Sequence, residues 1–262
     1  MSKIPSPLTS PLLSAAGFRH AFFTRAGGVS VGPFATLNLS NSVGDVPTSV
    51  AENLARAAKW LELDGSQLYW ANQVHGCEVH VVGHDTPVDT LRTLSGDSLL
   101  ASQGDLACCV RTADCVPILV ADQERGCVAA IHAGWRGIVA GIVPQSLLRL
   151  CELGSIPENL IAAIGPHIRV GAFEVSNEVG QMIGSVTPNR AVIRYDRCER
   201  PHVALVESVR EQLRGAGLGD AQIDDVGGCT FDEPERFFSY RREGPATGRH
   251  LHGIMPRRTR TK

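Results

Sequence analysis

Hydrophobic residues form four nearly continuous runs in the middle of the chain. They lie at 105–112, 116–122, 127–133 and 160–166. These runs lack the apolar–polar alternation of a strand that has one face in water. Continuous apolar runs of this length are typical of strands covered on both faces. The pattern therefore predicts a buried sheet with further layers on each side of it.

A different spacing appears on either side of these runs, where apolar residues recur every three or four positions. This spacing is typical of amphipathic helices. It predicts helices over 47–62, 135–153 and 203–214. Thr48 is the expected N-cap of the first helix, since a threonine hydroxyl can accept a hydrogen bond from the first turn.

Shorter apolar segments complete the predicted order of elements. They predict strands at 18–25 and 221–227, and a strand pair around a turn formed by 67–76 and 77–82. Strands interleaved with helices, without a repeat or linker, predict an α/β layered fold with a mixed sheet. We therefore expect one domain over 1–262, with loose termini at 1–17 and 254–262.

Composition excludes several classes of protein. The net charge of −2 gives no general basic field for nucleic acid, and the basic tail 256–262 is equally typical of a solvated terminus. There is no secretory signal and no apolar stretch of about 18 residues, so we expect no membrane span. The eight cysteines (77, 108, 109, 115, 127, 151, 198 and 229) are expected to be reduced thiols in the cytoplasm.

One familiar motif is present without its required context. "GVSVG" at 28–32 matches the G-x-S-x-G nucleophile elbow around Ser30, but Pro33 follows at once and little chain precedes it. A glycine turn is the better interpretation. The chain contains no G-x-G-x-x-G after a strand, no phosphate-binding P-loop, no C-x-x-C and no H-E-x-x-H.

Three residues that bind metals well lie at or just after the ends of predicted strands. They are His75, Cys115 and His132. Two imidazoles and a thiolate suit zinc or copper, and three protein ligands leave a fourth tetrahedral position for water or substrate. Spacing alone leaves other interpretations open: Cys115 could be a nucleophile with His132 as its base, or Cys77 could close a structural site. Ordinary core residues are a further possibility.

Other polar residues near glycines or strand ends are candidates for substrate binding. Arginine forks beside glycines suit phosphate or carboxylate, although a solvated surface explains any single arginine. The candidates are Arg25, Arg136, Arg241, Arg242, Arg249, Asn72, Gln73, Asp114 and His167. Asp114 could also hold a ligand histidine or orient a loop.

Motifs along nearly the whole chain resemble those of the YfiH/YlmD family. They include "FFTRAGGVSVGPFATLNL" (22–39), "NQVHG" (72–76), "RTADCVPILVAD" (111–122), "HAGWRG" (132–137) and "FFSYRREG" with "TGR" (237–249). The resemblance implies a single-domain, three-layer α/β/α sandwich, similar to the fold of cysteine-hydrolase deamidase toxins. It also implies that His75, Cys115 and His132 are zinc ligands.

The family has two functional descriptions, and the resemblance carries both. One is zinc-dependent purine nucleoside phosphorylase with adenosine deaminase activity, acting on adenosine, inosine, guanosine or methylthioadenosine with phosphate. That description implies phosphate binding by the arginines and acid/base roles for Asp114 or His167. The older one is laccase-like polyphenol oxidase, although a multicopper centre needs many histidines and this chain has a single H-x-H, at 250–252.

Further alternatives are a Cys–His hydrolase and a cell-wall precursor editing factor. Copper could also replace zinc in vitro, because it binds such ligands more tightly. A monomer or homodimer is expected.

Overall fold

The computed structural model describes residues 6–187, 193–194 and 200–257, and these contain eight α-helices and twelve strands. Cys198 and residues 258–262 of the basic tail lie outside the described residues. The helices are α1 Pro11–Ala15, α2 Pro47–Trp60, α3 Val88–Leu91, α4 Trp135–Ala140, α5 Ile142–Glu152, α6 Asn177–Val186, α7 Leu205–Gly215 and α8 Tyr240–Glu243. The strands are β1 His20–Phe22, β2 Leu68–Tyr69, β3 Val79–Val81, β4 Ser98–Ala101, β5 Ala107–Thr112, β6 Val116–Asp122, β7 Val128–Ala133, β8 Leu160–Ile164, β9 Ile193–Arg194, β10 His202–Val203, β11 Ile223–Asp225 and β12 His250–Ile254.

Most strands belong to two mixed sheets. The six-stranded sheet has the order β11-β8-β6-β7-β4-β3, and the four-stranded sheet has the order β1-β12-β5-β2. β11 with β8, β3 with β4 and β2 with β5 are parallel, whereas the remaining neighbours in these sheets are antiparallel. β9 and β10 form a separate antiparallel pair.

The two sheets pack face to face and share a hydrophobic core. Val110 and Ile254 of the four-stranded sheet belong to the same buried cluster as Leu119 and Ala130 of the six-stranded sheet. Helix α2 covers the outer face of the four-stranded sheet, and α4 to α7 cover the outer face of the other. The predicted mixed α/β single-domain fold is confirmed, and its β layer consists of two sheets. Both faces of β5 to β8 are therefore covered, which explains their continuous apolar sequences.

Two helix predictions change in detail. The predicted helix 135–153 is divided at Gly141, whose φ of 83° lies in the left-handed region that favours glycine. Thr48 is not the N-cap of α2, because the helix begins one residue earlier, at Pro47 after Val46. Proline suits the first helical position because its φ is already close to the helical value and no N–H is lost there.

The predicted strand pair at 67–76 and 77–82 is wrong. β2 joins the four-stranded sheet beside β5, whereas β3 joins the six-stranded sheet beside β4. The segment between them crosses from one sheet to the other, and the carboxylate of Asp97 accepts hydrogen bonds from the backbone N–H groups of Val74, His75 and Gly76. The Asp97 side chain therefore accepts the backbone hydrogen bonds that a neighbouring strand would have accepted in the predicted pair.

Several described residues of the segments 1–17 and 254–262, which we expected to be loose, are packed against the fold. Leu13 of α1 is fully buried, and the Ser10 hydroxyl donates to Asp224. Ile254 is fully buried in β12, and the backbone N–H of Arg257 donates to the carbonyl of Gly126. Within the described residues, no helix has both the length and the apolar character needed to cross a bilayer.

Candidate active site

The side chains of His75, Cys115 and His132 meet at one point, where their potential ligand atoms all lie within 4.8 Å of one another. Cys115 Sγ lies 3.7 Å from His75 Nε2. A tetrahedral zinc site with ordinary Zn–S and Zn–N bond lengths would place these two atoms about 3.6 Å apart. The donor atoms therefore fit a metal ion of this class.

Strand pairing explains why residues 17 positions apart meet. Cys115 immediately precedes β6, and His132 lies near the end of β7. The two strands are antiparallel, with His132 opposite Pro117, so the start of β6 adjoins the end of β7. His75 reaches the same point on the segment that crosses between the sheets, with a φ of 61° in the left-handed region.

Gly134 leaves the space that these side chains occupy. A Cβ atom at this position would lie 2.7 Å from His75 Cδ2 and 3.1 Å from Cys115 Sγ. Both approaches are closer than normal van der Waals contact. The glycine in "HAGWRG" is therefore required by the ligand cluster itself.

Asp97 lies beside the metal-binding group, and the sequence did not single it out. It is fully buried, and its Oδ1 lies 2.7 Å from His132 Nδ1. The same carboxylate accepts the backbone hydrogen bonds of the segment that carries His75. A carboxylate on the second nitrogen of a metal-binding histidine fixes the ring orientation and leaves Nε2 free for the metal. The only signal in the sequence is the Gly96–Asp97 pair before β4.

Charge interactions within the cluster favour ionised forms. Burial opposes ionisation of Cys115, but the His132 and His75 rings overcome this effect and lower the pKa of its thiol to about 6. Burial also opposes protonation of His132, but Cys115 and Asp97 raise the pKa of its imidazole to about 9. A thiolate is the form of cysteine that binds metal or acts as a nucleophile. With Asp97 included, the geometry also matches a Cys–His–Asp catalytic arrangement.

The cluster opens into a cleft of about 490 Å³. Its apolar lining residues are Trp135, Ile168, Phe173, Leu205 and Tyr240. Its polar lining residues are Ser40, Ser42, Asn72, Gln73, Arg111, Asp114, Arg136, Arg241 and Arg249. A concave site with aromatic walls and a few polar groups is typical of small-molecule binding sites.

Three of the predicted site residues lie elsewhere in the described structure. Arg25 donates to the carbonyls of Ala35 and Pro234 and pairs with Glu243. Arg242 donates to three backbone carbonyls and also pairs with Glu243. These two guanidinium groups hold loops together.

His167 also lies away from the lining of the cleft. It is fully buried, and its Nδ1 lies 2.8 Å from the carbonyl oxygen of Gly165. Burial and the nearby charge of Arg169 lower the pKa of its imidazole to about 4.

Asp114 lines the cleft, but it holds a loop rather than a ligand histidine. Its Oδ1 accepts a hydrogen bond from the Thr230 hydroxyl at 2.6 Å, and its Oδ2 accepts one from the backbone N–H of Arg241 at 2.7 Å. Both oxygens therefore tie the segment before β6 to later parts of the chain. Asp114 has a φ of 107°, in the left-handed region, and this backbone conformation sets the direction in which the chain enters Cys115.

The remaining predicted residues do reach the cleft. Gln73 uses both ends of its amide on the backbone of Arg111, accepting at 2.7 Å and donating at 2.8 Å. Arg136, Arg241 and Arg249 each stack on an aromatic ring of the cleft wall, namely Trp135, Phe173 and Tyr240. Asn72 is a lining residue. Arg111 also lines the cleft, although its sequence context gave no sign of this.

Cys77 does not belong to the metal-binding group formed by the described residues. Its side chain is exposed and lines a separate shallow pocket with Glu78, Gln145 and Arg149. Although Cys77 is only two residues after His75, the chain turns at Gly76 toward Asp97. The structure therefore does not support a four-ligand site closed by Cys77.

One family model and several known proteins match this chain over most of its length. The family model described as multi-copper polyphenol oxidoreductase laccase matches residues 19–257. The chain is 39% identical to the purine nucleoside phosphorylase of Deinococcus radiodurans, and the match covers 95% of this chain and 94% of the relative. It is 38% identical to the purine nucleoside phosphorylase of Streptomyces coelicolor, covering 89% of this chain and 93% of the relative.

Solved structures show the same fold. The crystal structure of YlmD from Geobacillus stearothermophilus matches with a TM-score of 0.87 and 32% identity, covering 95% of this chain and 94% of that one. YfiH from Bacillus licheniformis matches with a TM-score of 0.85 and 30% identity, covering 91% and 92% of the two chains.

Proposed function

The chain belongs to the YfiH/YlmD family of laccase-like multi-copper polyphenol oxidoreductases, and on that premise we propose that it is a zinc-dependent purine nucleoside phosphorylase. The reaction is the transfer of a ribosyl group from a purine nucleoside, such as inosine or adenosine, to phosphate. Relatives that carry this name are similar over almost the entire length of the chain. A cytoplasmic location remains a prediction from the sequence.

The observation that carries the proposal is the position of the metal-binding group inside the cleft. His75, Cys115 and His132 line the same cavity as the aromatic and arginine side chains. A purine ring needs flat apolar surfaces, which Trp135 and Phe173 offer. Phosphate needs charged hydrogen-bond donors, and the arginines of the cleft offer these.

In phosphorolysis, a phosphate oxygen attacks the anomeric carbon of the ribose while the bond from that carbon to the purine nitrogen breaks. The departing purine takes up the proton that hydrogen phosphate gives up, and ribose 1-phosphate forms. A zinc ion held by His75, Cys115 and His132 would supply Lewis-acid chemistry at this site. The side chains of the cleft hold the two substrates in contact and in line, which lowers the entropic cost of the reaction.

Asp114 is assigned to positioning rather than to proton transfer. Both of its oxygens already accept hydrogen bonds from Thr230 and the Arg241 backbone, so the carboxylate is engaged in holding these segments together. Because Asp114 precedes Cys115, its hydrogen bond to the Arg241 backbone N–H fixes the position of the chain at Cys115. Adenosine deamination is a second proposed activity, supported by the metal-binding group and the wide cleft beside it, which can hold a water molecule next to a purine.

Two other functions use the same residues. A Cys–His hydrolase would use Cys115, His132 and Asp97, but it has no need of His75, whose Nε2 lies 3.7 Å from the sulfur. A multicopper oxidase needs several metal sites, whereas the described residues provide one group of three ligands. Zinc with three ligands accounts for all of these side chains.

The test combines metal analysis with two assays. The protein is purified without added metal, its bound metal is measured, and purine release from inosine and adenosine is followed with and without phosphate. Stoichiometric zinc and phosphate-dependent purine release are expected, and both should be lost in His75→Ala. The control is His80→Ala, because His80 lies outside the metal-binding group. Phosphate-independent hydrolysis by a metal-free protein would overturn the proposal in favour of the Cys–His hydrolase.

A further inference from the structure

Two arginines and two serines form one polar corner of the cleft, which we call the anion corner. It consists of Ser40, Ser42, Arg111 and Arg249. Arg111 lies on β5 opposite Leu251 of β12, and Arg249 lies two residues before Leu251. Arg249 immediately precedes β12, and both arginine side chains line the same cleft.

Arg111 is held rigidly at this corner. Its backbone N–H and carbonyl are both bound by the Gln73 amide, and its Nη1 lies 3.4 Å from Ser40 Oγ. Its guanidinium group lies over the Trp70 ring, 5.3 Å from the centroid. No ion pair to a carboxylate is formed by Arg111 within the described residues, in contrast to Arg25 and Arg242.

Arg249 carries a second positive charge to the same corner. Its Nη1 donates to the carbonyls of Thr247 and Gly248, and its backbone N–H donates to Asn38 Oδ1. Like Arg111, it forms no ion pair with a carboxylate in the described part of the chain. Burial and the charges of Arg92 and Arg249 lower the pKa of Arg111 to about 10, so the two guanidinium groups are near enough to repel each other. Burial also lowers the pKa of Arg249, and the charge of Asp114 opposes this effect.

The serines supply neutral hydrogen-bonding groups beside these charges. Ser40 Oγ and Ser42 Oγ are 3.0 Å apart, and Ser42 donates its backbone N–H to Ser40 Oγ at 3.3 Å. Ser42 is exposed and therefore accessible to a ligand from the cleft. Two charged forks and a hydroxyl pair form a set of donors that matches a tetrahedral oxyanion.

We propose that the anion corner is the subsite for inorganic phosphate, with Arg111 and Arg249 as its charged donors and Ser42 as a hydroxyl donor. This inference rests on the proposed phosphorylase function, because phosphate is the second substrate of that reaction. It excludes Arg25 and Arg242 from phosphate binding, since neither lines the cleft and both pair with Glu243. It places the phosphate beside Tyr240, over whose ring the Arg249 guanidinium lies.

The test measures phosphate binding separately from catalysis. Inorganic phosphate is titrated into the zinc-loaded protein by calorimetry, and the KM values for phosphate and inosine are determined for Arg111→Gln, Arg249→Gln and Ser42→Ala. Loss of a charge-assisted hydrogen bond should weaken phosphate binding about tenfold or more in the arginine variants. The phosphate KM should rise much more than the inosine KM, with zinc content unchanged. Arg149→Gln, an exposed arginine on α5, is the matched control.

Arg111→Lys and Ser42→Ala keep the test decisive if Arg111→Gln does not fold. Arg111→Lys retains the charge but loses the planar fork, and Ser42→Ala removes an exposed hydroxyl; both should weaken phosphate binding less than the glutamine variants do. Unchanged phosphate affinity in Arg249→Gln and in the Arg111 variant that folds would overturn the subsite. Phosphate that binds at the metal alone would give this result. If wild-type protein binds phosphate through these arginines but releases no purine, the phosphorylase function fails and the subsite stands. If phosphorolysis continues with an unchanged phosphate KM in the variants, the subsite fails and the function stands.

Discussion

The Asp97 carboxylate connects two of the candidate metal ligands, because it lies 2.7 Å from His132 Nδ1 and also accepts the backbone N–H of His75 at 3.0 Å. One buried side chain thus orients the ring of one histidine and the backbone of the other. The ligand cluster depends on a residue that does not itself bind the metal.

Replacing Asp97 by Asn should therefore weaken metal binding without removing a ligand. Loss of such a carboxylate partner costs on the order of 10- to 100-fold in metal affinity. Zinc affinity is measured by competition with a chelator, and Asp89→Asn at a fully exposed carboxylate is the control. Equal zinc affinity in the two variants would show that Asp97 does not support the ligands.

Gly134→Ala should displace the ligands while leaving the sheets intact. The added methyl group would lie 2.7 Å from His75 Cδ2 and 3.1 Å from Cys115 Sγ, so one of these side chains must move. Reduced zinc content with a normal circular dichroism spectrum is the expected result. Gly65→Ala should be neutral, since nothing lies within 4 Å of its Cβ position. A Gly134→Ala protein with full zinc occupancy would contradict the packing described here.

Alkylation of Cys115 should depend on both pH and metal. The neighbouring imidazoles lower the pKa of its thiol to about 6, so metal-free protein should react with iodoacetamide at this residue at near-constant rate above about pH 7. Zinc should protect the thiol, because a bound sulfur is no longer free to react. Mass spectrometry of the modified peptides measures the rate, and exposed Cys77 serves as the internal reference. Rapid alkylation of Cys115 in the zinc-loaded protein would argue against a metal on the sulfur.

Arg242→Gln should lower stability more than it changes the phosphate KM. Its guanidinium group donates to the carbonyls of Thr230, Phe231 and Phe237, and a hydrogen bond from a charged group contributes about 1.5 to 3 kcal/mol. Urea unfolding measures the loss of free energy of unfolding, and steady-state assays measure the KM. A large rise in phosphate KM with unchanged stability would return Arg242 to the substrate site.

Acid should destabilise the protein through His250. Burial and the charge of Arg25 lower the pKa of its imidazole to about 3 in the folded state, against about 6.5 in the unfolded chain. The folded protein therefore holds His250 neutral, so its contribution to stability is complete above pH 6.5 and is lost as pH falls toward 3. Metal-free His250→Gln should show a weaker decline in the free energy of unfolding between about pH 7 and pH 4 than metal-free wild type. Parallel declines would contradict this role.

The local sequence predicted where strands lie along the chain better than it predicted which strands pair with each other. The apolar runs at 116–122 and 127–133 correspond to β6 and β7, because strands covered on both faces must be apolar throughout. The pattern of 67–82 predicts a strand pair around a turn, because its apolar residues lie on both sides of one. Its strands instead belong to different sheets, a choice made by distant neighbours β4 and β5.

The sequence by itself determined which residues could bind a metal and that the strands are buried, since both follow from side-chain chemistry and from the period of apolar positions. Only the tertiary structure decided which polar groups meet. It brought Asp97 to His132, selected Arg111 and Arg249 for the cleft, and left Arg25, Arg242 and His167 elsewhere. The physical reason is that an arginine or aspartate is equally compatible with a loop contact and with a ligand site. Its role depends on which carbonyls, carboxylates and rings the folded chain places around it, and those come from parts of the sequence far away.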